Sequence, residues 1–185
     1  MKKRIVSLIF FLPLLICVLS ISACKPSSKK VIYNDLKHIL FSEIKLSNNI
    51  VGADGSSFYR KFADAEFKVV HYIDSTSCDE CALKSLHYWR SIIEDPVFSN
   101  VGFFFIVWSD YFESTRQALL NVNFKYPVYI DMYGHFGQEN KYLKNKLYNT
   151  ALINKDNQVV LVGDFLGNSR LMIQYRKAIL GTDSL

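Results

Sequence analysis

Apolar positions along the chain follow two rhythms. Ile32, Leu36, Ile39, Leu40 and Ile44 recur at spacings of three and four, which predicts a helix over residues 31–46. The polar, glycine-containing stretch NNIVGADGSS (48–57) then reads as a loop. FKVVHYI, Phe67 to Ile73, is a short β-branched run and predicts a strand. Over 78–94 the period returns to three and four through Leu83, Leu86, Trp89 or Arg90, and Ile93, predicting a helix. VGFFFIVW, Val101 to Trp108, is almost continuously apolar, as expected of a strand covered on both faces.

The alternation continues to the C-terminus. Residues 112–121 predict a helix, Pro127 to Asp131 (PVYID) a strand, and Gly137 to Tyr148 a helix. NTALINKDNQVVLVG predicts two strands across a turn at Lys155-Asp156-Asn157. Arg170 to Leu180 is helical in pattern, and Gly181 fits a helix stop. Strands that alternate with helices imply parallel pairing with right-handed crossovers, and the late hairpin adds an antiparallel edge. The expected class is α/β, a three-layer domain on a mixed sheet.

Half of the 185 residues are apolar and 15% are aromatic, ample for a packed core. The formal charge of +5 is misleading. The chain opens MKKRIVSLIFFLPLLICVLSISAC, a basic start followed by an apolar run and small residues, which is the pattern of a secretory signal. A retained anchor is the alternative, since Ile5 to Leu19 approaches the length of a membrane span. Removing Lys2, Lys3 and Arg4 from the 22 basic residues leaves 19 against 17 acidic ones. A near-neutral chain lacks the clustered basic face of a nucleic-acid binder.

The end of the run, Ile21-Ser22-Ala23-Cys24, resembles the lipobox of bacterial lipoproteins. The resemblance implies cleavage before Cys24 and lipid on that cysteine, as diacylglycerol and palmitate. It divides the chain into a signal peptide (1–23), a lipidated tether (24–30, with KPSSKK following the cysteine) and a domain (31–185, core 67–180). It places the domain in the bacterial cell envelope, facing the periplasm. Lys25, rather than an aspartate, favours the outer membrane by analogy with the family.

Four cysteines are present. With Cys17 in the signal and Cys24 acylated, Cys78 and Cys81 remain, two residues apart in DSTSCDECALKSLHYW. Export would place them where disulfides persist. The spacing suits an attacking and a resolving thiol, because Cys81 falls one helical turn after Cys78. Asp79 and Glu80 lie between them. They stabilise a helix start, and they also disfavour a neighbouring thiolate, which would tune the Cys78 pKa upward. A zinc site needs four ligands, and His38, His71, His87 and His135 show no paired spacing. No metal and no cofactor is expected beyond the Cys78–Cys81 disulfide.

CxxC at a strand–helix junction, with this element order, resembles the thioredoxin fold. It is most similar to the TlpA-like branch of envelope thiol-disulfide oxidoreductases, which inserts a helix and a strand in mid-domain. The inserted pair here would be residues 112–131. The resemblance covers 67–180 and implies Cys78 and Cys81 as the catalytic dithiol. It implies envelope protein thiols and disulfides as partners, an upstream electron donor, and a monomer.

Two family features are missing. The proline that packs against the disulfide before the hairpin is replaced by Tyr148, Asn149 and Thr150, which would form the docking loop. A trans backbone is expected there, because a non-proline cis bond costs about 3 kcal/mol. The acid six residues before the first cysteine is Tyr72 instead. A peroxiredoxin would carry proline at position 71 and Ser or Thr at 75; Ser75 fits and His71 does not. The alternative function is a binding module without redox turnover that holds a partner protein or, as in the Sco branch, a copper ion. That branch spaces its cysteines by three residues rather than two.

Overall fold

The computed structural model describes residues 27–47, 49–59, 62, 65–74 and 79–181. The chain forms two compact units, residues 1–37 and 38–185. The first carries most of helix α1 (Ser28–Ile39). Ser27 starts it, its hydroxyl and carbonyl both accepting from the Lys30 N–H. The helix therefore begins inside the stretch expected to be tether and ends seven residues before the expected position 46. It stops where Phe41 turns into the left-handed region, at φ 65°.

The second unit is built on a six-stranded sheet, ordered β1-β4-β3-β2-β5-β6. The strands are β1 (Ile50–Gly52), β2 (Phe67–Ile73), β3 (Val101–Ser109), β4 (Val128–Met132), β5 (Thr150–Ile153) and β6 (Val159–Val162). Strands β2, β3 and β4 are parallel, with Val69 opposite Phe103 and Val107 opposite Ile130. Strand β5 runs antiparallel to β2, and β6 to β5, so the closing hairpin supplies an antiparallel edge. Between the strands lie α2 (Asp79–Ser85), a 3₁₀ turn at Leu86–Trp89, α3 (Arg90–Ile93), α4 (Phe112–Val122) and α5 (His135–Glu139), and α6 (Ser169–Leu180) follows β6. This is a mixed α/β architecture of the thioredoxin-like kind. The helix–strand pair expected at 112–131 is present as α4 and β4.

Alternation along the strands sorts the core into two faces. One face carries Val69, Ile73, Phe105, Val107 and Leu152, packed with Leu83, Leu86, Trp89 and Tyr175 from the helical segments and with Phe165 from the loop after β6. The opposite face groups Phe58, Phe62, Phe104 and Tyr129 in ring contact at 4.9–5.9 Å. Val101 to Ser109 sits in the middle of the sheet, as its unbroken apolar run requires.

Two further sequence expectations about the sheet and its helices need correction. The stretch 48–57 was expected to be loop, but Ile50–Gly52 pairs antiparallel with β4, with Ile50 opposite Asp131. Three residues that follow Asn49 and end on Gly52 carry too little pattern to reveal a strand; the partner edge supplies it. The expected helix at 137–148 is instead α5 followed by a 3₁₀ turn at Lys141–Lys144. Asn140 breaks it: its amide donates to the Lys45 and Phe136 carbonyls and its oxygen accepts from the Lys45 N–H, locking a non-helical backbone.

Candidate functional site

Strand β2 ends at Ile73 and helix α2 begins at Asp79, at the carboxyl end of the central parallel strands. The CxxC spans this junction. Cys78 and Ser75 lie outside the described residues; Asp79, Glu80 and Cys81 are described as helical backbone only. Leu83, Leu86 and Trp89, three residues apart, are buried against the sheet and hold this helical segment down. The expected single helix over 78–94 is broken by the 3₁₀ turn that seats Trp89.

A cleft of about 160 Å³ opens beside this junction. Ile73, Leu83, Val107 and Ala118 form its apolar lining. Ser109, Ser114 and Thr115 add hydroxyls, and Asp74 an acid. Thr115 donates to the Ser109 hydroxyl at 2.7 Å, and the Tyr111 N–H donates to the same oxygen at 3.0 Å. Tyr111 is 75% exposed at the rim.

The segment expected as docking loop divides. Tyr148 is buried, and the Asn149 carbonyl accepts from the Tyr72 N–H at 2.8 Å. Thr150 is strand rather than loop: it begins β5, opposite His71, and is fully buried. The β2–β5 ladder extends to this point because both residues find a hydrogen-bonding partner in each other. His71 Nδ1 and Thr150 Oγ1 are 2.8 Å apart. No cis peptide bond occurs among the described residues.

His71 is a core residue, with Trp89 at 5.0 Å and Phe105 at 6.2 Å between ring centroids. Burial among these rings pushes its pKa down to about 4, so the imidazole is neutral at pH 7. His38, His87 and His135 are exposed. Among the described residues no cluster of three or more His, Cys, Asp or Glu could hold a metal ion.

An acid does lie beneath position 72, but it comes from another strand. Tyr72 donates to Asp131 Oδ2 at 3.1 Å, on the face of the sheet opposite Leu83 and Trp89. Asp131 also accepts from the Phe136 and Gly137 N–H groups at 3.0 and 3.1 Å, at the start of α5. Burial raises its pKa despite these three donors. Sequence reasoning missed this network. The only signal was an acid closing the apolar strand pattern of PVYID.

No family model matches the chain, and no curated protein matches it. Solved structures do. One assigned as a thiol:disulfide interchange protein, DsbE, from Chlorobium tepidum is 16% identical, with a TM-score of 0.56 over 77% of this chain and 98% of that one. The reduced N-terminal domain of PilB from Neisseria meningitidis is 16% identical, with a TM-score of 0.55 over 70% and 91%. A peroxiredoxin Q from Xanthomonas campestris is 15% identical, with a TM-score of 0.54 over 76% and 98%. At these identities the likeness establishes the fold.

Proposed function

We propose that this chain is a lipid-anchored thiol-disulfide oxidoreductase of the bacterial envelope, similar to the TlpA-like branch, that reduces protein disulfides. The observation that carries the reading is the position of CxxC. It joins a central parallel strand to a helix that starts one residue after Cys78, at the sheet's carboxyl edge. Ligands and reactive groups of open α/β sheets gather at that edge.

In this reading Cys78 attacks as thiolate. It forms a mixed disulfide with one sulfur of the substrate and expels the other as thiolate. Cys81 then attacks the Cys78 sulfur, releases the second substrate thiol and closes the Cys78–Cys81 disulfide. Two electrons and two protons pass to the substrate, and an envelope dithiol donor returns them to the pair. The cleft lined by Ile73, Leu83 and Val107 lies beside the junction and would receive the substrate chain next to its cysteine. Cys24 carries the lipid that holds the domain at the membrane, with Lys25 favouring the outer one.

The test is trapping in envelope extracts. Cys81→Ser should accumulate mixed disulfides with partner proteins, and Cys78→Ser should not. Equal trapping by both variants, or by neither, removes the oxidoreductase reading.

A further inference from the structure

Helix α1 carries an exposed face that the redox reading does not use. In an α-helix, residues three and four apart are neighbours on the surface. Tyr33 is therefore one turn from each of Lys29, Lys30 and Lys37, and all four are exposed, Tyr33 at 68%. The helix contains three lysines and one acid, and that acid, Asp35, is two residues from Tyr33 and so projects from the far side. A second stripe behaves differently. Ile32, Leu36 and Ile39 become steadily less exposed along the helix, from 38% at Ile32 to 6% at Ile39. The Tyr33 face stays open over its whole length.

An aromatic ring ringed by lysines suits one environment well, the boundary between lipid headgroups and acyl chains. Tyrosine places an apolar body below its hydroxyl there, and lysine stems lie along the apolar phase while their ammonium groups reach phosphate. The position in the chain agrees. Cys24 to Ser28 is four residues, at most about 14 Å even fully extended. A lipid on Cys24 would thus hold the start of α1 close to the headgroup layer, itself only about 5–8 Å deep per leaflet. Two residues past the helix, Phe41 is 78% exposed with φ 65°, a backbone conformation that favours glycine or asparagine. Its N–H donates to the Val159 carbonyl at 2.8 Å.

We infer that the Lys29–Lys30–Tyr33–Lys37 face of α1 lies on the anionic phospholipid bilayer to which the same chain is anchored. The inference rests on the lipid-anchored reading above. The helix lies in the interface, about 18 Å long, and serves as a second membrane contact beside the lipid. A basic aromatic face adds electrostatic attraction and burial to the hold that acyl chains provide alone.

The experiment uses the full chain as isolated from membranes, reconstituted into vesicles of phosphatidylethanolamine and phosphatidylglycerol. Tyr33→Trp reports on the proposed face and Val31→Trp on the opposite side, with native Trp89 and Trp108 as a common background. Brominated phosphatidylglycerol should quench the reporter at position 33 about twofold or more above that at position 31. Replacing Lys29, Lys30 and Lys37 with Gln should abolish the difference, as should high salt. Circular dichroism checks that each variant is folded. Equal quenching at both positions, or none above background, overturns the inference. So does protection of position 33 that depends on protein density rather than on brominated lipid, which would make a second copy the occupant. The mass of the N-terminal peptide reads lipidation separately. An unmodified Cys24 refutes the anchor, while the quenching pattern on the same preparation judges the helix face by itself.

Discussion

His71 on β2 and Thr150 on β5 face each other across an antiparallel pair and share a hydrogen bond of 2.8 Å inside the core. The bond ties the strand that leads into CxxC to the strand that follows Asn149. It also holds a neutral imidazole under Trp89, where a charged one would be unpaired.

This pair makes stability depend on pH. The folded His71 has its pKa lowered by burial to about 4, while the unfolded chain titrates near 6.5. Between those values the unfolded state binds a proton that the folded state does not, so stability falls as pH drops from about 6.5 to 4. The full loss would be about 3 kcal/mol at 1.36 kcal/mol per pKa unit. Urea unfolding of wild type and His71→Gln at pH 7 and pH 4.5 checks it. The variant should lose less on acidification, and identical losses would refute the assignment.

The Tyr72–Asp131 contact leaves no room for a side chain at Gly137. A Cβ there would stand 2.2 Å from the Tyr72 hydroxyl oxygen. Gly137→Ala should cost about 1–3 kcal/mol as an overpacking change. Tyr72→Phe alone should cost about 1 kcal/mol for its hydrogen bond. The double variant should be less destabilised than the sum, because removing the hydroxyl removes the nearest clash. Denaturant titration of the four proteins closes the cycle; simple additivity would show that the clash is relieved elsewhere.

Asp79 and Glu80 occupy the first turn of α2, directly after Cys78. Two carboxylates beside a thiol oppose its ionisation. A poorly stabilised thiolate makes the reduced pair a better donor, so we expect a potential nearer about −270 mV than −120 mV. Asp79→Asn with Glu80→Gln should raise it, by about 30 mV for each 1.4 kcal/mol of relief. Equilibration against glutathione measures both; a fall on neutralising the acids contradicts the electrostatic account.

Cys24→Ala should abolish fatty-acid labelling and leave the chain uncleaved or released from the membrane fraction. Label incorporated into the Cys24→Ala protein would show that another residue carries lipid.

Much of the fold was legible in local pattern. Phe67–Ile73 and the hairpin strands show as short apolar, β-branched runs, and Val101–Ser109 is almost continuously apolar because it lies inside the sheet with both faces covered. Gly181 marks the end of α6 because its φ of 65° suits glycine. The CxxC at a strand–helix junction is likewise a matter of spacing. Other features exist only through partners distant in sequence. Ile50–Gly52 becomes a strand because the β4 edge offers it hydrogen bonds. Thr150 leaves the loop because His71, 79 residues earlier, meets it. Asp131 is an acid in a strand until α5 brings two N–H groups to it and β2 brings Tyr72. Periodicity reports which side of an element avoids water, and that is a local property. Which polar group answers another inside the core depends on where the chain returns, and only the assembled sheet decides it.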